Sequence, residues 1–367
     1  MNVSFNQQSV TLPVSIAAFI NKGVTLRAVS VSGLIVGLLF STFSFAQSWQ
    51  DTLGQFRQLY AEELGSTSAC GQSKPHEYKI CSGVLRNEGN APYILHHGDK
   101  QANVVVLIHG LSDSPYFMRA IASELYVKGF NVVVPLLPGH GLKQADNDME
   151  DDQLAERWQA HIARVMKLAP ALGNKIFTGG FSTGGALTVD YYLSHPDSLS
   201  GILLFSGALA LSDNAESMSR FWGIKWVAKI VDGSYETDGP NPYKYPSVAG
   251  FAGLELMDII DSIRARLEEG KTVSVPVFAA HSAADETTPI KGVRSLLEQA
   301  EGENTFFVID ERFDLCHADL VVSAKLLSDM HFDKSRADKN DKCAIPKDNP
   351  LYRQMVMMLS AFLDANT

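Results

Sequence analysis

Six short runs with apolar interiors recur from residue 103 onward: Asn103–His109, Asn131–Pro135, Lys175–Thr178, Gly201–Phe205, Val275–Ala280 and Thr305–Ile309. They do not alternate with polar residues, so each fits a strand buried on both faces. Helical patterns lie between several of them. Pro115–Lys128 is preceded by Ser114 as a candidate N-cap and followed by Gly129, and Asp151–Ala169 stops at Pro170. Pro289–Ala300 and Pro350–Ala365 open with proline at the first helical position, after Thr288 and Asn349. Strands alternating with helices imply an α/β fold, a mostly parallel sheet covered on both faces. One domain over about residues 90–367 accounts for all of them.

Two segments break the alternation. Ala208–Thr272 is too long for a loop between core strands, and it carries Phe221, Trp222, Trp226, Tyr235, Tyr243, Tyr245 and Phe251. It is read as an inserted cap over the strand ends, the alternative being extra core helices at the sheet edge. Asp319–Lys347, rich in Asp and Lys around Asp333–Lys342, reads as a surface excursion before the last helix.

Residues 1–27 hold no Asp or Glu, and the apolar run Ala28–Phe40 is too short for a membrane span. Ser44-Phe45-Ala46 places small residues at the −3 and −1 positions of a cleavage site, so residues 1–46 are read as a signal peptide and Gln47 as the first mature residue. Residues 47–89 form an N-terminal extension containing Cys70 and Cys81. Export to the periplasm or the exterior makes disulfides the natural state of four cysteines, and sequence proximity favours Cys70–Cys81 and Cys316–Cys343. The formal net charge of −10, without a long Lys/Arg cluster, argues against a nucleic-acid partner. No Cys/His cluster has zinc-finger spacing, and neither a metal nor an organic cofactor is implied.

The chemistry centres on Gly180-Phe181-Ser182-Thr183-Gly184. Alone, Gly-x-Ser-x-Gly is weak evidence. Here a buried strand runs into it and a helical pattern, Gly185–Leu193, runs out of it, which is the strand–turn–helix of a nucleophile elbow. A serine hydroxyl needs a base, and the base needs an acid, in the chain order Ser, Asp, His. Asp285 follows the Val275–Ala280 strand, with Glu286 and Asp310 as rival acids. His317 follows the last strand, with His331 as its rival. A histidine base implies activity rising through roughly pH 6–7.5. The oxyanion donors would be the N–H groups of Thr183 and of Leu111, the latter in the His109-Gly110-Leu111 loop after the first core strand. His109 is expected to orient that loop. His140 reads as structural or pocket-lining, and His195 as a cation at a helix end.

In their order, His109-Gly110, Pro138-Gly139-His140-Gly141, Gly180–Gly185, Asp285 and His317 resemble the α/β-hydrolase superfamily. The resemblance is strongest to its monoacylglycerol-lipase/carboxylesterase branch, which includes serine-aminopeptidase-like hydrolases. It spans about residues 90–320 and the final helix. It implies the α/β-hydrolase fold with a cap after the strand following the elbow, matching Ala208–Thr272. The chain departs at Phe181 and Thr183, where His and Met are more usual, in the long stretch after His317, and at Cys316.

The resulting expectation is a serine hydrolase cleaving carboxylic esters through an acyl-enzyme, on a small-molecule or lipid-like substrate. The cap aromatics point to an apolar acyl chain. The alternatives are amide or peptide cleavage on the same fold, and a non-catalytic binding protein, against which an intact Ser182–Asp285–His317 set argues.

Overall fold

The computed structural model describes residues 49–71, 76–219, 224–225, 228 and 235–367. The export signal expected over residues 1–46 and the aromatics Phe221, Trp222 and Trp226 lie outside these residues.

Strand periodicity builds the core. In β4 (Gln101–Ile108), Val104, Val106 and Ile108 point into one apolar layer while Val105 and Leu107 point into the other. In β7 (Gly201–Phe205), Ile202 and Leu204 face the first layer, Leu203 and Phe205 the second. Burial on both sides is what made these runs continuously apolar. With β1 (Thr67–Ala69), β2 (Glu77–Ser82), β3 (Tyr93–Leu95), β5 (Asn131–Val134), β6 (Gly173–Phe181), β8 (Val277–Ser282) and β9 (Thr305–Ile309), they form one nine-stranded sheet. Its order is β1-β2-β3-β5-β4-β6-β7-β8-β9. The pairings from β1 to β3 and of β3 with β5 are antiparallel, and the rest are parallel.

Helices cover both faces. The helix α1 (residues 49–58), α3 (Leu154–Met166), α4 (Thr183–Ser194), α5 (Gly250–Glu268) and α6 (Lys291–Gln299) bury apolar residues in the first layer. The second layer is covered by α2 (Arg119–Val127) and α7 (Tyr352–Asn366). This is the α/β-hydrolase fold.

Several boundaries differ from the sequence reading, each for a local reason. The sheet begins before residue 90: β1 and β2 are short edge strands whose pairing places Ser68 opposite Cys81, and the Cys70–Cys81 disulfide staples them. Pro170 does not merely end a helix; it sits in the first turn of the short helix Ala169–Leu172, where a missing N–H costs nothing. Thr288 and Asn349 are not N-caps, since α6 starts at Lys291 after Ile290 and α7 at Tyr352 after Leu351. Ser114 has no capping hydrogen bond either; its hydroxyl donates to the Tyr243 carbonyl at 2.8 Å.

The segment read as a cap over Ala208–Thr272 is divided. Its C-terminal part is α5, which packs against α4 and α3 and buries Phe251, Met257 and Ile260, as a core helix does. Tyr235 and Tyr245 are also buried in the first layer, and Tyr243 stacks on Tyr116 at 3.7 Å. Four of the seven aromatics that pointed to an acyl chain are therefore at least partly spent on packing. The expected surface excursion likewise begins buried, with Leu320, Val321, Val322, Leu326 and Met330 in the second layer.

Candidate active site

Parallel strands deliver their loops to one edge. Ser182 follows β6, Asp285 follows β8, His317 follows β9 and Leu111 follows β4, so all four leave the carboxyl ends of the parallel strands, where open α/β sheets bind ligands.

Ser182 is the N-cap of α4, with φ 53° and ψ −117°. A non-glycine residue there is strained and persists only where its surroundings over-determine it. Four backbone hydrogen bonds do so. The Ser182 N–H donates to Phe205 O at 3.1 Å, and the Ser182 carbonyl accepts from Gly185, Ala186 and Ala208 at 2.9, 3.2 and 2.9 Å. The flanking glycines are steric requirements: a Cβ on Gly180 or Gly184 would lie 2.4 or 2.1 Å from the Ile108 carbonyl oxygen.

The structure joins two of the sequence-named residues directly. His317 Nδ1–H donates to Asp285 Oδ2 at 2.6 Å. This fixes the tautomer and leaves Nε2, which is buried and has no hydrogen-bond partner among the described residues, as the basic nitrogen. Phe181, immediately before Ser182, lays its ring 4.7 Å from the imidazole, which places His317 beside the elbow. Asp285 is buried, and burial by itself pushes its pKa up. The His317 imidazole more than offsets this, helped by His281 and the Thr288 N–H, and holds the carboxyl below the usual carboxylate range. The rival acids are exposed: Glu286 pairs with Lys342 at 3.7 Å, and Asp310 caps a turn through Arg312 N at 3.0 Å. His331 ends the Ala324–Asp329 helix region at φ 52° and lines a surface cavity with Arg86 and Asp238.

Two supporting residues were missed by the sequence reading. Thr288 Oγ1 lies 3.1 Å from both Asp285 Oδ2 and His317 Nδ1, and 3.2 Å from Ser206 O. The His281 Nε2–H donates to the Thr288 carbonyl at 2.7 Å, closing the loop that carries Asp285. The nearest sequence signal is the His281-x-x-x-Asp285-x-x-Thr288 spacing, which has no meaning until the loop is seen to fold back.

The Leu111 loop lies against the elbow, since a Cβ on Gly110 would meet Phe181 at 2.9 Å. Among the described residues, neither the Leu111 N–H nor the Thr183 N–H is bonded to a protein acceptor. His109 orients this loop as expected: Nδ1–H donates to Gly110 O at 2.8 Å while Nε2 accepts from Leu137 N at 3.1 Å. His140 is buried and its Nδ1–H donates to Pro138 O at 2.9 Å. His195 ends α4 with Nδ1 on Tyr191 O at 3.1 Å. No group of three or more His, Cys, Asp or Glu side chains is placed to hold a metal among the described residues.

Residues 99–314 match the profile of the family described as serine aminopeptidase, S33. The chain belongs to this hydrolase family. It is 31% identical over 185 residues to a thermostable monoacylglycerol lipase of Bacillus sp. strain H-257, covering 50% of this chain and 71% of that one. Among solved structures, it superposes on one of the metagenome-derived lipolytic enzymes LipS and LipT with a TM-score of 0.56 at 20% identity, over 77% of this chain and 99% of that one. It matches Paleococcus ferrophilus monoacylglycerol lipase with a TM-score of 0.51 at 19% identity, over 75% and 99% of the two chains.

Buried imidazoles make the stability of this hydrolase depend on acid. Burial lowers His140 to about 4 and His161 to about 3, and it also pushes His109 and His281 down. The neutral form is the one the fold accepts. The unfolded chain therefore binds more protons below about pH 6.5, and stability falls as pH drops from there through the folded values. His140 alone should cost about 3 kcal/mol at pH 4, and His161 a similar amount. Among the described residues both His161 ring nitrogens lack hydrogen-bond partners, so His161→Leu should cost little at pH 7 and flatten the acid limb. Urea midpoints at pH 7, 5 and 4 check this; parallel midpoint losses in both proteins would contradict it.

The Cys316–Cys343 disulfide, with sequence separation 27, anchors the backbone next to His317. The second half of the loop it closes, residues 331–342, is mostly exposed, and Lys342 reaches from it to Asp314 at 3.1 Å and Glu286 at 3.7 Å. In the chain-entropy model such a closure stabilises by about 3–4 kcal/mol. Exposed ion pairs contribute little by comparison. Reduction is expected to lower activity before the global fold is lost. Hydrolysis and near-ultraviolet circular dichroism, followed together against dithiothreitol, check the order of the two losses.

Proposed function

We propose that this hydrolase cleaves carboxylic esters by a serine mechanism through an acyl-enzyme. The observation that carries the reading is the 2.6 Å His317–Asp285 bond, with Nε2 unpartnered among the described residues and the imidazole against Phe181, the residue before a strained serine at a helix N-terminus. Ser182 Oγ attacks the acyl carbon while His317 Nε2 takes its proton. The carbonyl electron pair moves onto oxygen, where the Leu111 and Thr183 N–H groups receive it. The tetrahedral adduct collapses, the alcohol leaves with the proton from His317, and an acyl-Ser182 ester remains. Water, deprotonated by His317, repeats the sequence and releases the acid. Asp285 holds the tautomer and stabilises the imidazolium.

Ester rather than amide cleavage is supported by the relative named a thermostable monoacylglycerol lipase. The family description carries the amide or peptide reading. Fluorophosphonate labelling tests the nucleophile, and matched ester and anilide substrates separate the two reactions. Labelling anywhere but Ser182 defeats the first claim; faster anilide turnover defeats the second. We further place the protein in an oxidising compartment, a reading supported by its two disulfides and tested by sequencing the mature N-terminus for Gln47.

A further inference from the structure

Residues 241–245 run across the loop that follows β4 and are fastened to it at four points. The Tyr245 N–H donates to Ser112 O at 2.8 Å, and Ser114 Oγ–H donates to Tyr243 O at 2.8 Å. Lys244 Nζ pairs with Asp113 Oδ1 at 2.7 Å, and Tyr243 stacks on Tyr116. From the other side, Arg86 donates to the Lys244 and Asn241 carbonyls at 2.9 and 3.1 Å. The strap is therefore held at both of its faces.

Two features show that the loop needs holding. Ser112, directly after Leu111, has φ 63°, a left-handed conformation that a side chain adopts only under constraint. The Asp113 side chain is fully buried, yet among the described residues Oδ2 has no hydrogen-bond partner, and it lies 2.7 Å from where a Gly110 Cβ would be. A half-satisfied buried carboxylate is costly, and the countercharge it pairs with comes from the strap. We propose that Lys244, through Asp113, is a positioning residue for the oxyanion donor Leu111 N–H. The strap holds Ser112 in its strained conformation, and that conformation aims the preceding N–H at the reacting oxygen. The inference rests on the serine-ester reading of the same site.

The test compares Lys244→Met with the Lys244→Met/Asp113→Asn double variant, which removes the buried unpaired charge and so protects the fold. In both, kcat should fall by about 10–100-fold with KM within about threefold, because a misdirected donor is lost from the transition state rather than the ground state. Inhibition constants for a trifluoromethyl ketone, whose adduct with the serine carries an oxyanion, should rise in parallel with the loss in kcat/KM. A general packing defect would lower activity without that parallel. Unchanged kcat in the folded variants, or a fall in kcat/KM with unchanged ketone affinity, overturns the proposal. Ser182→Ala serves as the control on the underlying reading. If it is inactive while the Lys244 variants are normal, only the strap proposal falls; if it stays active, the serine reading itself falls.

Discussion

Ser182→Ala is expected to lower turnover by about 10⁴–10⁶-fold while leaving the protein folded. The structure explains why the two effects separate. Every contact that fixes the elbow through residue 182 is made by its backbone: the N–H to Phe205 and the carbonyl to Gly185, Ala186 and Ala208. Alanine keeps all four, tolerates the same φ no worse than serine, and removes only the Oγ. Tm should change by no more than about 2 °C, since nothing buried is left unpaired by the substitution. A stopped assay on an activated ester, with active-site titration by a fluorophosphonate, reads both rate and nucleophile. A folded variant that hydrolyses esters at near-normal rates would remove the central reading.

Asp285→Asn is expected to lower kcat by about 10³–10⁴-fold, with a smaller effect on KM. Asp285 Oδ1 accepts the N–H groups of Thr287 and Thr288 at 3.0 and 2.9 Å. These two donors would hold the asparagine oxygen in the same place and turn its NH₂ group toward His317. An NH₂ group cannot accept the Nδ1 proton, so the imidazole must present its Nδ1 lone pair and carry its proton on Nε2. The base is then the wrong tautomer for Ser182. The Thr288 hydroxyl offers only partial relief at 3.1 Å from Nδ1. Residual activity should reappear at higher pH, where hydroxide replaces the missing base. Retention of more than a tenth of wild-type kcat at pH 7 would show that another group orients His317.

The parts of this protein legible in its sequence are those governed by local periodicity and by steric rules over a few residues. Strands buried on both faces must be continuously apolar, so β4, β7 and β8 could be read as runs, and their parallel order follows from the helices between them; β9, read the same way, is instead an edge strand with Val308 exposed. The elbow could be read because a tight strand–helix turn against β4 excludes a Cβ at Gly180 and Gly184. The pairing of His317 with Asp285 was legible only as chain order, and the two disulfides only as sequence proximity.

Tertiary structure alone decided the rest, because it depends on contacts between residues far apart in the chain. β1 and β2 are short strands that carry little apolar signal; β2 exists by pairing onto β3 and β1 by pairing onto β2. The stretch Gly250–Glu268 looked like part of a cap, and only its packing on α3 and α4 made it core. Thr288 resembled a helix cap until the loop after β8 folded its hydroxyl onto Asp285 and His317. The Lys244–Asp113 pair joins residues 131 positions apart. A partly buried ion pair of that span leaves no periodicity to read, since its partners are chosen by the fold that brings them together.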